Sequence, residues 1–437
     1  MTAQTDSPRA DGPRAGGQSA GEHRALRLGH ATGLTCRECG STVELGPYYA
    51  CAECFGPLEV GYELPPITRA DIEAGPASIW RYASLLPVRP DIAARPNTDP
   101  GWTRLARADQ LARELGLRAL WLKDERGNPT HSFKDRVVAV ALAAAVEMGY
   151  KVLACPSTGN LANAVAAAAA RAGIRSVVLI PADLEPQKIA ATAVYGGAMV
   201  AIDGTYDDVN RLASELADDR EDWAFVNVNV RPYYAEGSKT IGYEIAEQLG
   251  WRLPEQIVVP VASGAQLVKI DKAFRELIEL GLVADTKYRV FGAQATGCSP
   301  VAAAFRAGHD VVQPVKPATI AKSLAIGNPA DGPYVLDVVR RTGGAVADIS
   351  DEDVVHAIRL LAETEGIFGE TASGVTLGVL RRLLADGLLD PGAETVIINS
   401  GDGLKTLDAA GSGAPAGTAA IRPTLEAFEA WESSRAA

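Results

Sequence analysis

One lysine stands at the start of an alanine-rich segment, in a setting that suits amine chemistry. Lys134 lies in the stretch Asn-Pro-Thr-His-Ser-Phe-Lys-Asp-Arg at residues 128–136, and the loop Ser-Thr-Gly-Asn follows at residues 157–160. Desolvation and neighbouring positive charge lower the pKa of an amine, so that a buried lysine can attack a carbonyl carbon and form a Schiff base. A lysine at a helix start is also typical of a solvated first turn, and Lys134 alone does not decide between the two.

Four cysteines near the start of the chain have the spacing of a metal site. Cys36 and Cys39 form one Cys-x-x-Cys pair, Cys51 and Cys54 form a second, and a glycine follows each pair within two residues. Glycine permits the positive φ that a turn around a thiolate requires. The pattern predicts a structural zinc ribbon, because four thiolates leave no open coordination position. A disulfide pair, or a knuckle that does not keep its metal, remains an alternative.

The composition limits the classes of partner. The chain has 437 residues, enough for two or three domains, with a net charge of −12 and six cysteines. An acidic chain lacks the basic face that a nucleic-acid partner requires. No apolar run reaches the roughly 20 residues needed to span a bilayer, and the first 25 residues contain no apolar signal region. We therefore expect a cytoplasmic protein with reduced thiols, in which Cys155 and Cys298 are small core residues.

The elements that must position these residues alternate in type from residue 65 onward. Short β-branched runs predict strands at residues 151–154, 176–180, 198–202, 224–228, 256–261, 288–293 and 394–398. Intervening segments predict helices at residues 135–148, 161–172, 186–195, 206–217, 238–249, 267–280 and 351–364. This alternation indicates parallel α/β layers with right-handed crossovers. Ligands of such sheets bind where strand ends meet helix starts, which predicts binding loops at residues 156–160, 262–266 and 399–403.

Lys134 together with these loops resembles the fold-type II pyridoxal-phosphate enzymes, and within them the threonine synthases. The resemblance covers residues 78–408 and depends on residues 128–136, 157–160, 236–240 and 401–405, while residues 366–370 fit less closely. It implies an α/β fold of two three-layer α/β/α domains, and the zinc-ribbon head is similar to an extension in one branch of the family. The expected organisation is a disordered tail at 1–27, the head at 28–64, a large pyridoxal-phosphate domain at 65–134 and 230–410, a small α/β domain at 135–229 and a C-terminal tail at 411–437.

The resemblance also implies a role for each site residue. Lys134 would carry pyridoxal 5'-phosphate and move protons at the substrate carbons, Asn160 would lie against the cofactor's 3-hydroxyl, and Ser400 would meet the pyridine nitrogen. A neutral hydroxyl at that nitrogen would leave it largely unprotonated. The cofactor phosphate would lie in a loop that keeps only one of the usual glycines, formed by Ala262, Ser263, Gly264, Ala265 and Gln266. The substrate's carboxylate would be held by Ser157, Thr158, Gly159 and Asn160, and its phosphate by Lys123 and Lys239. Each of these features also has a purely structural interpretation. Residues 157–160 are typical of a helix N-cap, residues 399–403 of a glycine-rich turn, and the two lysines of solvated side chains.

The function that the resemblance implies is the conversion of O-phospho-L-homoserine and water to L-threonine and phosphate, by a cytoplasmic enzyme that is a homodimer, as is usual in this family. An alternative is a pyridoxal-phosphate lyase that eliminates or replaces a β-substituent on serine, threonine or a phosphorylated analogue. A third reading is a zinc-headed regulatory paralogue without activity. Retention of Lys134, Asn160 and Ser400 together argues against the third, since a dead paralogue is free to lose them.

Overall fold

The computed structural model describes residues 26–89, 91, 99–157, 159–182, 186–204, 206–410 and 420–435. Thr158 and most of the predicted N-terminal tail lie outside these ranges. The strands are β1 (Ala31–Cys36), β2 (Thr42–Val43), β3 (Leu58–Tyr62), β4 (Arg104–Arg107), β5 (Ala119–Asp124), β6 (Val152–Pro156), β7 (Arg175–Pro181), β8 (Ala198–Ile202), β9 (Trp223–Phe225), β10 (Gln256–Pro260), β11 (Arg289–Ala295), β12 (Val346–Ile349) and β13 (Glu394–Asn399). The helices are α1 (Arg69–Glu73), α2 (Asp109–Leu115), α3 (Lys134–Glu147), α4 (Asn160–Ala172), α5 (Pro186–Ala193), α6 (Tyr206–Asp219), α7 (Arg231–Glu236), α8 (Lys239–Gln248), α9 (Ala265–Glu279), α10 (Pro300–Ala307), α11 (Gly332–Thr342), α12 (Asp351–Glu365), α13 (Thr371–Ala385) and α14 (Leu425–Arg435).

The strands form three sheets. The head contains a small antiparallel sheet in the order β2-β1-β3. A six-stranded sheet has the order β12-β11-β10-β13-β5-β4, and its strands are parallel except for the edge strand β4. A four-stranded parallel sheet has the order β8-β7-β6-β9. The strands of the four-stranded sheet fall between β5 and β10 in sequence, so this unit is inserted into the larger one.

Helices cover both faces of the six-stranded sheet. Strand side chains alternate between faces, so Ile257 and Val259 pack with α8 and α9 in one core, while Val258 packs with α12 and α13 in another. Both faces are apolar, as expected for a parallel sheet buried on both sides. The larger unit therefore has three layers.

The four-stranded sheet has the same arrangement. Leu153 and Cys155 join the core formed with α3 and α4, whereas Val152 and Ala154 face α6 through Val209. These contacts confirm the predicted fold of two three-layer α/β/α units. Cys155 and Cys298 are buried, as predicted, and burial raises the pKa of both thiols. The exact boundaries predicted for the units stay predictions.

The predicted elements agree with the structure to within a few residues, with three differences. The strand expected at 224–228 ends at Phe225, because Val228 accepts and donates turn hydrogen bonds that lead into α7. Helix α13 was not predicted, since most of its side chains are buried and it shows no amphipathic period. The predicted C-terminal tail contains α14, whose Leu425 side chain is exposed.

The head packs against the rest of the chain rather than standing apart from it. Leu34 and Val60 of its sheet share one core with Val137 of α3 and Tyr233 of α7. Across the described ranges, every helix is too short or too polar to traverse a bilayer.

Candidate active site

Lys134 is the first residue of α3 and lies against an aromatic wall. Its Nζ donates a hydrogen bond to the Tyr234 hydroxyl at 2.9 Å and lies 4.6 Å from the centre of the Phe133 ring. The Lys134 side chain is half buried, whereas the predicted amine chemistry favours a buried lysine. Tyr234 belongs to α7, and Gly237 at the end of that helix lies so close to α3 that a Cβ there would be 2.6 Å from the Arg136 carbonyl oxygen. The lysine and its tyrosine partner are thus held by two tightly packed helices.

The loop before Lys134 is bonded directly to the loop after the last strand. Phe133 donates its N–H to the Ser400 carbonyl at 3.0 Å, and Asp402 donates to the His131 carbonyl at 3.1 Å. His131 has a φ of 62°, a left-handed conformation that is uncommon for a non-glycine residue. This turn brings Lys134 and Ser400 to one place.

Glu370 joins two residues that the sequence assigned to the cofactor. Its carboxylate accepts a hydrogen bond from Asn160 Nδ2 at 2.8 Å and another from the Ser400 hydroxyl at 2.7 Å. Glu370 is 2% exposed, and its N–H donates to the Gly401 carbonyl at 3.1 Å. Asn160 and Ser400 are more than 200 residues apart in sequence, and the shared carboxylate fixes both at the same site.

The loop at residues 157–160 connects β6 to α4. Gly159 is the N-cap of α4 and has no capping side chain, so the first amides of the helix remain open to a ligand. Ser157 is buried, and its hydroxyl accepts a long hydrogen bond of 3.5 Å from Gly159 N–H. The arrangement fits the binding of an anion such as a carboxylate at a helix N-terminus.

The loop at residues 262–266 has the features of a phosphate cradle. Gly264 has a φ of 100°, and a Cβ there would approach Val335 Cγ2 to 2.7 Å, so glycine is required on both counts. Gln266 Nε2 is buried and has no hydrogen-bond partner among the described residues. A buried donor without a partner costs free energy unless a ligand accepts from it. The orphan amide and the open amides at the start of α9 therefore fit the phosphate of pyridoxal phosphate.

Sheet order places this loop beside the loop after β13 and the segment between β5 and Lys134. β10 lies next to β13, and β13 lies next to β5, so the loops that follow these strands meet at one edge of the sheet. Asp331 links the cradle to the lysine side of the site: its N–H donates to the Ser263 carbonyl at 2.8 Å, and its carboxylate pairs with Arg231 at 2.7 Å. Arg231 begins the helix that carries Tyr234.

Lys123 and Lys239 do not lie at this site, and the prediction that they hold a substrate phosphate is not supported by their surroundings. Lys123 is fully buried, and its Nζ donates to Glu244 Oε2 at 2.6 Å and to Gln248 Oε1 at 2.9 Å. Lys239 is also fully buried and pairs with Glu236 at 2.9 Å. Both ammonium groups are satisfied inside the protein and have no donor left for a ligand.

Lys405 is better placed than Lys123 or Lys239 to contact a substrate phosphate. Lys405 Nζ donates to Asn163 Oδ1 at 3.1 Å, and Asn163 lies one turn after Asn160 in α4. Burial lowers the pKa of Lys405, and the charges of Glu370 and Asp135 oppose that shift. Lys405 lies in the motif at residues 401–405 and Glu370 in the weaker motif at 366–370, and neither motif indicates from sequence what these two side chains do. Tyr234 carried no signal in the sequence that distinguished it from Tyr233.

The four clustered cysteines converge as predicted. Their Sγ atoms all lie within 4.8 Å of one another, with Cys36 and Cys54 at 3.4 Å and Cys39 and Cys51 at 3.6 Å. Thiolates around a tetrahedral zinc ion are separated by about 3.8 Å, given Zn–S bonds of about 2.3 Å. Hydrogen bonds from the Ser41 side chain and backbone lower the pKa of Cys39 to about 6, which favours the thiolate. All six cysteines are described and none forms a disulfide, so the geometry fits a metal site.

Comparison with known proteins gives the same picture. The sequence pattern of the family described as "Pyridoxal-phosphate dependent enzyme" matches residues 97–401. The threonine synthase of Methanocaldococcus jannaschii is 36% identical over 381 residues, which is 86% of this chain and 93% of that protein. The threonine synthase of Methanosarcina acetivorans is 37% identical over 378 residues, covering 85% of this chain and 92% of that protein.

Solved structures share the fold at lower identity. Maize serine racemase superposes with a TM-score of 0.59 at 22% identity, covering 69% of this chain and 88% of that chain. A threonine deaminase from Solanum lycopersicum gives a TM-score of 0.60 at 20% identity, covering 78% of this chain and 92% of that chain. At these identities the likeness concerns the fold alone.

Proposed function

The chain belongs to the family of pyridoxal-phosphate dependent enzymes, and on that premise we propose that it converts O-phospho-L-homoserine and water to L-threonine and phosphate. The observation that carries this proposal is the 36% identity to a threonine synthase across 93% of that protein's length. The similarity covers 86% of this chain. The reaction is a carbon–oxygen cleavage followed by addition of water.

Lys134 is the residue we assign to proton transfer. Pyridoxal phosphate, when bound, supplies an electron sink that stabilises negative charge on the substrate carbons. The Lys134 amine is the base in this set that moves protons at those carbons, and the Tyr234 hydroxyl at 2.9 Å holds it in place. A positioned amine of this kind is an effective general acid–base group.

Glu370 orients the two polar groups that would contact the cofactor ring. The Asn160 amide donates to one carboxylate oxygen, and the Ser400 hydroxyl donates to the other. Because the Ser400 hydroxyl donates its only hydrogen bond to Glu370, its oxygen can only accept a hydrogen bond from a further partner. We expect this pair to favour a protonated ring nitrogen, in contrast to the role that the resemblance alone implied for a neutral hydroxyl.

The substrate's anionic groups would be held on the α4 side of the site. We assign the carboxylate to the open amides in the first turn of α4, and we propose Lys405 as the cation for the substrate phosphate. Lys405 lies within hydrogen-bond distance of Asn163 in the same helix. A cation at this point would neutralise the charge that grows on the departing phosphate. The cofactor phosphate would bind separately at Gly264 and Gln266.

Three further assignments are part of the proposal. We assign one zinc ion to Cys36, Cys39, Cys51 and Cys54, whose role is structural because all four ligands are protein thiolates. We also propose a homodimer, which the family resemblance supports, and a cytoplasmic location, which the six cysteines without disulfides support.

The test is a substrate comparison. Purified protein reconstituted with pyridoxal phosphate is incubated with O-phospho-L-homoserine, and released phosphate and L-threonine are measured; both should appear in equal amounts. Lys134→Ala should abolish both, and Lys287→Met, a change at an exposed lysine, should abolish neither.

The alternatives are separate arms of that comparison. Keto acid formed from L-serine or L-threonine at a higher kcat/KM than threonine formation would assign the chain to the β-eliminating lyases. Failure to turn over any of the three substrates, with pyridoxal phosphate bound, would favour the regulatory paralogue.

A further inference from the structure

The four-cysteine head contacts the short helix that carries Tyr234. Tyr233, the neighbour of Tyr234 in α7, accepts a hydrogen bond from the Gly46 N–H at 2.9 Å and donates to the Gly46 carbonyl at 3.0 Å. Gly46 lies between the two Cys-x-x-Cys pairs. One residue of α7 therefore touches the head while the next touches the amine of Lys134.

The other end of α7 is held by a second contact from the head. Tyr62 of β3 donates from its hydroxyl to Glu236 Oε2 at 2.7 Å. Its ring lies under Lys239, with Nζ 4.0 Å from the ring centre. Both Glu236 and Lys239 are fully buried, and Lys239 pairs with Glu236 at 2.9 Å.

Ion pairs extend this contact across the whole interface. Lys272 of α9 donates to the Val60 carbonyl of the head at 2.9 Å and lies 3.3 Å from Glu236. Lys269 bridges Glu59 of the head and Glu236 of α7. A buried charge cluster is costly to distort, because loss of one partner leaves another charge desolvated. The head thus fixes Glu236, and with it the last turn of α7.

We propose that the four-cysteine head positions Tyr234 against Lys134, with Tyr62 as the positioning residue that transmits its effect through Glu236 and α7. This inference deepens the proposed function and depends on it, since Lys134 must be the reactive amine. The head would then contribute to proton transfer as well as to stability, although it supplies no group that touches the substrate.

The test uses the bound cofactor as a reporter of the Lys134 nitrogen. The holoenzyme's absorbance is titrated against pH in wild type, Tyr234→Phe and Tyr62→Phe, and zinc content is measured in each. The Tyr234 oxygen accepts from the protonated nitrogen and stabilises it, so Tyr234→Phe should shift the spectral transition to lower pH by about 0.5–1 unit. Tyr62→Phe keeps its ring over Lys239 and should shift the transition in the same direction by a smaller amount, with zinc retained.

Two controls separate positioning from general damage. Tyr49→Phe alters an exposed head tyrosine that has no described contact with α7 and should leave the transition unchanged. The double variant Tyr62→Phe/Tyr234→Phe should behave like Tyr234→Phe alone, because the head would have no hydroxyl left to position. The titratable groups His131, Asp135, Glu370, Asp402 and Lys405 on this side of the site are unchanged in every variant.

The outcomes are distinct. Additive shifts in the double variant, or a Tyr62→Phe holoenzyme with lowered kcat and an unmoved transition, would overturn the positioning role. Because the absorbance titration needs no substrate, it remains informative if threonine formation fails, and the two proposals can fail separately.

Discussion

Replacing Lys123 with methionine distinguishes a structural lysine from a substrate-binding one. Lys123 and Arg136 are fully buried with two carboxylates, Glu125 and Glu244, in a cluster that is neutral overall. Burial alone would raise the pKa of Glu244, but the charges of Arg136 and Lys123 hold it at about 2. Methionine fills a similar volume and leaves this cluster with one uncompensated negative charge.

Lys123→Met is expected to lower the free energy of unfolding. Removing one partner of a buried ion pair costs about 3–5 kcal/mol. An unfolding entropy of about 2.1 cal/mol/K per residue gives about 0.9 kcal/mol/K for a chain of this length, so Tm should fall by about 3–5 °C. A second change, Glu244→Gln, restores neutrality and should recover part of the loss.

Thermal unfolding and steady-state kinetics test the two roles together. Well below Tm, Lys123→Met should keep kcat/KM for O-phospho-L-homoserine within about twofold of wild type, since the lysine does not reach the site. Lys287→Met, at an exposed lysine, should change neither quantity. A loss of about 30-fold or more in kcat/KM at unchanged Tm would refute the structural role and indicate that Lys123 binds the substrate phosphate.

Three other outcomes are expected. Lys405→Met should lower kcat/KM for O-phospho-L-homoserine by about 10- to 150-fold and leave Tm nearly unchanged, because a charge-assisted hydrogen bond contributes about 1.5–3 kcal/mol; a normal value would place the substrate phosphate elsewhere. Burial raises the pKa of Asp135 from 3.8 to about 6, so the folded state binds this proton more tightly and loses stability as pH rises from 4 to 6. The stability of Asp135→Asn relative to wild type should therefore increase by about 2–3 kcal/mol between pH 4 and 7 in urea denaturation, and a constant difference would contradict the shift. Elemental analysis should find one zinc per chain, lost in Cys51→Ala and kept in Cys298→Ala; retention in the first variant would exclude the four-thiolate site.

The sequence predicted the alternation of layers because each strand and helix is encoded locally by its own apolar pattern. Lys134, Ser400 and Asn160 could be proposed from the sequence because each stands in a short motif at an element boundary, where parallel topology brings loops together. The loop at residues 262–266 lies between β10 and α9, as the sequence pattern predicted, and its role as a phosphate cradle stays a prediction. A single motif therefore indicates where along the chain a binding loop lies, but not which remote residues contact it.

Pairing across the chain was the part that sequence reasoning missed. The resemblance implied that Lys123 and Lys239 hold the substrate phosphate, and no local feature of the sequence indicates their buried partners Glu244 and Glu236. Glu370 has no local feature that indicates its contacts with Asn160 and Ser400, which are remote in sequence. Contacts of this kind depend on how layers stack, and one sequence does not carry that information in any local pattern.

The strand order also constrains how the chain folds as it leaves the ribosome. β5 pairs with β13 on one side, so residues 119–124 wait for residues 394–399 before the six-stranded sheet can form. The four-stranded sheet contains only strands between residues 152 and 225, so all of its strands are synthesised well before β13. Non-local pairing is slow because loop closure must precede it. The inserted unit should therefore be complete while β5 still has an open edge, and that interval is when the nascent chain is most exposed to aggregation.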